Sequence, residues 1–454
     1  MTCHSTGPQG LVAVFTCLLA KVMVMPDQKQ KRFSWRGRWA VFGAIGAVYF
    51  FAYFHRVSTS VIAPDLLAAF NVNATALGFM SSMYFYLYAL EQPVVGYLAD
   101  RWGPRWVVAV WTLVAALGCF IFGLATSIEW ASAGRALIGF GVGGVFVPGM
   151  KAFSQWFREK EFATLTGLLL ALGNLGAIVA TTPLAWAART WGWRGSFMAI
   201  GAVTLLLALG AFLLIENPLP KDGAGCEKKR PPSRGGDADN PLKSIFEIFS
   251  SLRFWILGAI FFGAFGTYLT FQGLWATTFL MSLLGVDLFH ASLFNMLIPL
   301  GLILGAPFTG WVSSRLSLNK GRVLIGLLAL ETGLWAWMVF GAKSLEVTGI
   351  LSILLILGAA SGGLGAILWG LVRETTPAPI LGLTTGLLNP FPFVGTAIFQ
   401  IWTGAILDRA GSVDGVYPIA AYQDAFLLCF LGVAICLGLA LFLQKRPTGK
   451  MNAL

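Results

Sequence analysis

About twelve stretches of this 454-residue chain stay apolar for some twenty residues each, and that pattern leaves few folds open. A helix that crosses the hydrocarbon core of a bilayer needs roughly 20 apolar residues. In lipid, each backbone N–H and C=O must find its partner within the spanning structure. Transmembrane β-strands would show short alternating segments, and these runs are too long and too uniformly apolar for that. Charged residues make up 11% of the chain and hydrophobic ones 57%, against about 25% charged in a soluble domain. The reading is an all-α integral membrane protein. Its expected spans cover 39–63, 75–99, 104–125, 129–151, 162–187, 195–215, 252–281, 290–313, 320–341, 347–371, 380–407 and 420–443.

Between the sixth and seventh spans lies "NPLPKDGAGCEKKRPPSRGGDADNPLKSIFEIF", polar, basic and rich in Pro and Gly, which reads as a linker. The expected map is a tail over 1–38, a six-helix bundle over 39–216, a linker over 217–251, a second bundle over 252–445 and a tail over 446–454. The net charge of +11 is spread over loops rather than gathered in a patch, so it argues for membrane orientation and against nucleic acid. With the termini inside, the inner segments hold nearly all Lys and Arg, and the outer loops keep only Arg189, Arg194, Lys343 and Arg409. The chain is expected to cross the inner (plasma) membrane of a bacterial-type cell many times, with both termini and the linker in the cytoplasm. Near the start, "LVAVFTCLLAKVMVM" is interrupted by Lys21 and no small-residue cleavage site follows. Met23 or Met25 therefore reads as the true start, with a signal peptide as the alternative. The six cysteines (Cys3, Cys17, Cys119, Cys226, Cys429, Cys436) show no metal-ligand or paired spacing, and no metal or cofactor is expected.

The two halves repeat one another. "GYLADRWGPR" follows the second span; "GWVSSRLSLNKGR", from Gly310, follows the eighth, with Gly310 at the place of Gly96 and Arg315 at that of Arg101. "TGLLLALGNLG" from Thr166 has its counterpart in "TGLLNPFPFVG" from Thr385, and "GFGVGGVF" in "SGGLGAI". Two similar six-span halves are a transporter architecture.

The loop Gly96, Asp100, Arg101, Gly103, Arg105 resembles the Gly-x-x-x-Asp-Arg-x-Gly-x-Arg signature of the major facilitator superfamily. "RALIGFGVGG", with Arg135, Gly139, Gly141 and Gly143, resembles that superfamily's fourth-span motif. The resemblance covers roughly 39–445. It implies a twelve-span fold with pseudo-two-fold symmetry, alternating access, a single working chain and no enzymatic step. Gly96 is expected to allow close helix packing. Asp100 is expected to pair with a base on a neighbouring helix. The loop's contacts, with Arg135, Gly310 and Arg315, are expected to gate the conformational change.

Within the superfamily, "YFHRVSTSVIAPDL" resembles the first span of the anion:cation symporter group, whose members place a cation there for the acid group of the substrate. Arg56 falls at that position. An arginine inside a span costs about +2.5 to +3.5 kcal/mol on insertion scales, so it should face a cavity and have a partner; outward snorkelling is the alternative. Tyr84, Tyr88 and Glu91 recur at helical spacing on one face of the second span, with Ser81 on the same stripe. Glu91 lies roughly 13 Å from the inner edge, near midplane, where a carboxylate either carries a proton or pairs with Arg56 or Arg135. The group commonly has a carboxylate in its glycine-rich fourth span, and "GVGGVFVPG" has none. Glu91, His55 or Glu331 could take that part; alternatively His55 is a packed hydrogen-bonding group and Glu331 a structural pair. Asn174, Tyr268, Gln272, Asn295 and Asn389 are further candidate substrate contacts, the last where two prolines break the eleventh span.

The function expected is proton-coupled movement of a small organic anion across the bilayer. A dipeptide or amino-acid carrier of the same superfamily is the alternative. A membrane enzyme or sensor finds no support, since no metal cluster, no Ser-His-Asp set and no Walker loop stands in the sequence.

Overall fold

The computed structural model describes residues 35–216, 241–344, 346–377, 380–412 and 416–445. The expected start at Met23 or Met25, most of the linker and the C-terminal tail lie outside the described residues. Twelve long helices follow in order. They are α1 (Trp35–Phe70), α2 (Ala74–Trp102), α3 (Pro104–Gly123), α4 (Ile128–Trp156), α5 (Glu159–Val179) and α6 (Thr182–Leu214). A short helix, Pro241–Ser250, precedes α7 (Leu252–Leu284), α8 (Leu288–Arg315), α9 (Lys320–Phe340), α10 (Val347–Thr375), α11 (Leu381–Ala410) and α12 (Ile419–Lys445). Among the described residues ten of these are long and apolar enough to cross a membrane by length and composition. The charged α2 and the shorter α5 complete the twelve.

Local chemistry sets the ends. Asn73 caps α2 by accepting from the Ala76 N–H, and Asn319 caps α9 by accepting from Gly321 and Arg322. Both satisfy amides that a helix start leaves without partners. Asp287 does the same for α8, and these bonds from His290 hold its carboxyl below the usual carboxylate range. Gly103, with φ of 81°, makes the left-handed turn between α2 and Pro104 at the head of α3.

Two boundaries differ from expectation. The first span was expected to end at 63, but α1 runs on through Pro64 to Phe70, because a proline without its N–H kinks a long helix without ending it when neighbours pack around it. The fifth span breaks near Thr181, and the turn into the sixth comes at Gly192 (φ 71°) inside α6, between the expected 187 and 195. Further breaks interrupt α4 at Gly144 and Val145, α8 at Met296 and α11 at Asn389. Two π-helical segments, Phe261–Phe265 and Phe271–Trp275, interrupt α7.

Packing repeats with a period of six helices. In the first half α2 lies along α4, α3 against α4 and α6, and α1 against α5; in the second α8 lies along α10, α9 against α10 and α12, and α7 against α11. Between the halves α1 meets α7, α2 meets α11, and α5 meets α8. Exchanging the halves maps this set onto itself, which is the pseudo-two-fold relation. Outward faces are apolar: Leu117, Leu206, Leu213 and Ile435 are exposed, as suits contact with lipid rather than water.

Glycines let the pairs approach, but not those expected to. A Cβ at Gly96 or Gly310 would meet open space. The close packing expected of Gly96 is absent here, because both loops sit at the rim of the bundle. The tight crossings are Gly139 on the Tyr84 backbone, Gly141 on that of Ala115, and Gly305 on that of Ala359. We expect Gly139→Val and Gly305→Val each to lower stability by about 1–3 kcal/mol, the usual range for overpacking. Gly96→Ala and Gly310→Ala should leave the melting temperature in detergent unchanged.

Candidate functional site

Four helices from both halves converge on Arg56. Its guanidinium carbon lies 4.1 Å from the ring centre of Tyr53 on α1, 5.2 Å from that of Tyr88 on α2 and 5.1 Å from that of Phe393 on α11. From α7, a Cβ at Gly273 would come within 2.6 Å of the Arg56 carbonyl oxygen, so only glycine allows α7 so close. Arg56 is 8% exposed, its Nε has no hydrogen-bond partner, and it pairs with no carboxylate among the described residues. Aromatic faces stabilise a desolvated guanidinium by about 2 kcal/mol, which only partly offsets the removal of a charge from water. The charge is therefore left without a counter-ion among the described residues. Outward snorkelling is excluded by the burial.

A second buried cation stands behind the first. Arg135 of α4 donates to the His55 carbonyl at 3.0 Å and covers the Tyr84 ring at 4.9 Å. Its Nε and one terminal nitrogen lack partners, and it too has no ion pair among the described residues. Tyr84 is a strut: its hydroxyl donates to the Ala52 carbonyl at 2.8 Å, and its ring stacks on Tyr88.

Glu91 is 3% exposed and forms no ion pair with Arg56 or Arg135. Trp111 of α3 donates to its Oε2 at 2.5 Å, and its Oε1 has no partner. That oxygen lies where a Cβ of Gly143 would stand, and Trp111 fills the space that Gly144 leaves. The carboxylate missing from the fourth span thus arrives from the second, through a gap that two glycines open in α4. Glu331 of α9 is also buried. Its Oε1 accepts from Ser361 at 2.7 Å, and no cation pairs with it among the described residues, so the ion pair expected for it is absent.

The other expected residues divide. Tyr268 and Gln272 are buried on α7, the Tyr268 hydroxyl without a partner. Asn295 joins Ser60 of α1 and Thr277 of α7, accepting neither: its amide nitrogen donates at 3.4 and 3.1 Å, and the two hydroxyls lie 3.0 Å apart. Asn389 donates to Gln92 of α2 across the halves at 3.3 Å. Asn174 turns back on its own helix, donating to Leu170 at 2.9 Å. His55 faces α3 and α6, with Cys119 at 3.6 Å and Phe197 beside its ring. It is not brought to Glu91.

The signature loop meets the expectation for Asp100. Asp100 pairs with Lys151 of α4 at 2.8 Å, as a base on a neighbouring helix. Arg101 donates to Tyr97, and Arg105 donates to the Phe212 carbonyl at 2.7 Å. These contacts of Asp100, Arg101 and Arg105 lie within the first half. Arg315 is exposed. A cluster of contacts between halves lies at the opposite end of α2. There Asp408 of α11 accepts from the amides of Ala74 and Thr75, each at 2.8 Å, from the Thr75 hydroxyl and from the Tyr417 hydroxyl. A sequence signal existed: "GAILDRAG", Gly404 to Gly411, repeats the Gly-x-x-x-Asp-Arg-x-Gly spacing of Gly96 to Gly103. Trp111 and Gln92, also missed, have no such signal, since tryptophan and glutamine in a span most often just pack.

The sequence model of the Major Facilitator Superfamily matches residues 45–399. The chain belongs to that superfamily. A probable sulfoacetate transporter of Cupriavidus necator is 26% identical, over 84% of this chain and 90% of that protein. The hexuronate transporter of Escherichia coli K12 is 23% identical, over 82% and 88%. A probable galactarate/D-glucarate transporter of the same organism is 22% identical, over 90% and 98%. Among solved structures, an inward-facing bacterial homologue of the human lysosomal transporter Spinster superposes with a TM-score of 0.75 at 16% identity, over 90% of this chain and 97% of that one. A D-xylose-proton symporter does so at 0.65 and 14%, over 93% and 100%. A transporter fold of this superfamily, not an enzyme, is what the twelve helices build.

The strut role of Tyr84 is separable from ligand contact. Tyr84→Phe should lower stability by about 0.5–1.5 kcal/mol, the net worth of one hydrogen bond, seen as a small fall in detergent melting temperature, and leave solute affinity unchanged.

Proposed function

We propose that this chain is a secondary transporter of a small organic anion, with Arg56 as the anion ligand and Glu91 as the proton carrier. The observation that carries the reading is the guanidinium of Arg56. It is boxed by rings from both halves and has no counter-charge. An anion seated there neutralises it and bridges the two halves. The relatives support the class of solute, since those named above are a hexuronate transporter and probable transporters of sulfoacetate and of galactarate or D-glucarate.

Glu91 supports coupling by position. An ionised carboxylate in an apolar interior with no cation beside it is costly, and a proton removes that charge. Trp111 would hold the carboxyl in place in either state. Tyr88 lies between Glu91 and Arg56, at the gap left by Gly143. Loading of one site therefore reaches the other through a single ring.

The cross-half contacts support a reading of alternating access. With the termini in the cytoplasm, as the distribution of Lys and Arg favours, the α1–α2 turn faces outward. The Asp408 contacts and the Ser60–Thr277–Asn295 node then close the outer side. The two loop signatures would act in turn, Asp408 capping α2 while the outside is shut and Asp100 released from its own half when the inside shuts. A carboxylate on a helix N-terminus contributes about 0.3–1 kcal/mol when exposed, more when partly buried, a scale suited to a gate that must open.

Flux in proteoliposomes tests the reading, using a panel of sugar acids, sulfonates and dipeptides. An inward proton gradient should drive accumulation of an acidic solute. Arg56→Ala should weaken apparent affinity at least about tenfold, the effect of losing roughly 1.4 kcal/mol. Glu91→Gln should retain solute exchange and lose proton-driven accumulation. Transport by Arg56→Ala at the wild-type rate would refute the anion site, and a dipeptide as the sole substrate would replace the solute class. For the gate, Asp408→Asn should raise the rate at which an impermeant maleimide added outside labels a Thr277→Cys variant. An unchanged rate would remove Asp408 from the gate.

A further inference from the structure

The second half holds a buried acid that neither the anion site nor Glu91 uses. Glu331 of α9 is 1% exposed. It lies roughly 16 Å along the helix from Lys320 and roughly 13 Å from Phe340, near the midplane. Ser361 of α10 donates to its Oε1 at 2.7 Å, and its Oε2 has no hydrogen-bond partner. No cation pairs with it among the described residues.

Ring contacts place a third group beside it. Phe271 of α7, Trp335 of α9 and Phe426 of α12 touch one another, with ring centres 5.4 to 5.8 Å apart. Helices α7 and α9 are two spans apart and so run the same way through the bundle. One turn back from this layer stand Tyr268 on α7, before Phe271, and Glu331 on α9, before Trp335. They share a level, on the faces that the ring layer turns toward each other. The Glu331 carboxyl interacts electrostatically with the Tyr268 hydroxyl and with the Cys436 thiol of α12. The Tyr268 hydroxyl is buried without a partner. Cys436 closes the far side, where glycine at 263 leaves room for its sulfur. Tyr268 and Cys436 are the titratable groups that face the acid, and α12 adds the buried Cys429. Helix α9 carries no other ionisable side chain after Arg322, and those of α10 are Arg373 and Glu374 at its far end.

Neither state of this carboxyl is satisfied by Ser361 alone. Ionised, it is a charge in an apolar interior with no cation, which is costly. Protonated, it has an O–H that needs an acceptor. The Tyr268 hydroxyl can serve both states, donating to the carboxylate and accepting from the acid. Tyr268 also stands between the two π-helical segments of α7, a winding found mostly at functional positions.

We propose that Glu331, with Ser361 and Tyr268, is a second proton-exchanging site of the transporter, in the half opposite Glu91. The count of two rests on the reading of Glu91 as proton carrier; the Glu331 site does not. The halves then correspond. Each lodges a lone carboxyl where its third and fourth helices meet, Glu91 against Trp111 and Gly143, Glu331 against Ser361. Ser361 and Tyr268 bring two oxygens to the carboxyl, fewer than the about six to eight that a hard cation such as Ca²⁺ gathers. A proton needs only one.

Infrared difference spectroscopy tests it, on the full chain reconstituted in lipid without solute, as the pH of a potassium buffer is raised. A buried protonated carboxyl absorbs in a band of its own that vanishes on ionisation. The wild type should lose two such bands. Glu331→Gln should lack one and keep the other, and Glu91→Gln should do the reverse. Ser361→Ala and Tyr268→Phe keep the carboxyl, so each should shift the Glu331 band and leave the Glu91 band in place; they also decide the matter where Glu331→Gln does not fold. A spectrum unchanged by Glu331→Gln would overturn the site. So would a Glu331 band that persists at every pH at which the chain stays folded, the mark of a fixed structural acid, or one that neither hydroxyl variant shifts. Replacing potassium by sodium at constant pH should change nothing; removal of the Glu331 band by sodium would make the ligand a metal cation and end the proposal. A single titrating band, lost in Glu331→Gln and untouched by Glu91→Gln, would sink the reading of Glu91 and leave Glu331 standing.

Discussion

The arrangement depends on a positive charge that the chain does not neutralise. Arg56 stands at the crossing of α1, α2, α7 and α11 with aromatic rings around it and no carboxylate among the described residues in reach. Rings soften the removal of the guanidinium from water without cancelling it. The helices must therefore supply both enclosure and an unfilled need at one point. Arg135 repeats the condition behind Tyr84. Two buried cations without an ion pair among the described residues, with the Glu91 carboxyl held by Trp111 and no cation, leave charge uncompensated inside an apolar body.

Glycine is the means by which the bundle holds these groups. Gly273 brings α7 onto Arg56, Gly139 brings α4 onto α2, and Gly143 and Gly144 open α4 for a carboxyl and an indole that belong to other helices. The same economy separates gate from site. The contacts of Asp408 and of Ser60, Thr277 and Asn295 cluster at one end of the bundle, whereas Asp100 and Arg105 of the signature loop contact α4 and α6 of their own half.

The spans were legible because lipid imposes a single demand on all of them: a long apolar run whose backbone bonds close within itself. Every expected span falls on a helix, and only ends such as Phe70 moved, where packing outweighed Pro64. The site was legible in part. Arg56, Tyr84, Tyr88 and Glu91 stand out because polar groups in a span are expensive and so draw notice. Trp111 and Phe393 do not, since each is an ordinary packing residue until its neighbours are known. His55 and Asn174 were visible for the same reason as Arg56, yet they face away from it, because a helix wheel gives the face of one helix and not which neighbour that face meets.

By itself the sequence determined that the chain crosses a membrane many times, that its halves repeat, and that a few ionisable groups lie at membrane depth. Those are properties of single segments, set by hydropathy and spacing. The tertiary structure decided which groups share a space: that Glu91 answers to Trp111 and not to an arginine, that Asp408 rather than Asp100 spans the halves here, and that rings from α2 and α11 close over Arg56. These follow from helix rotation and crossing, which depend on how glycines and aromatic rings fit across interfaces, and no single segment encodes that fit.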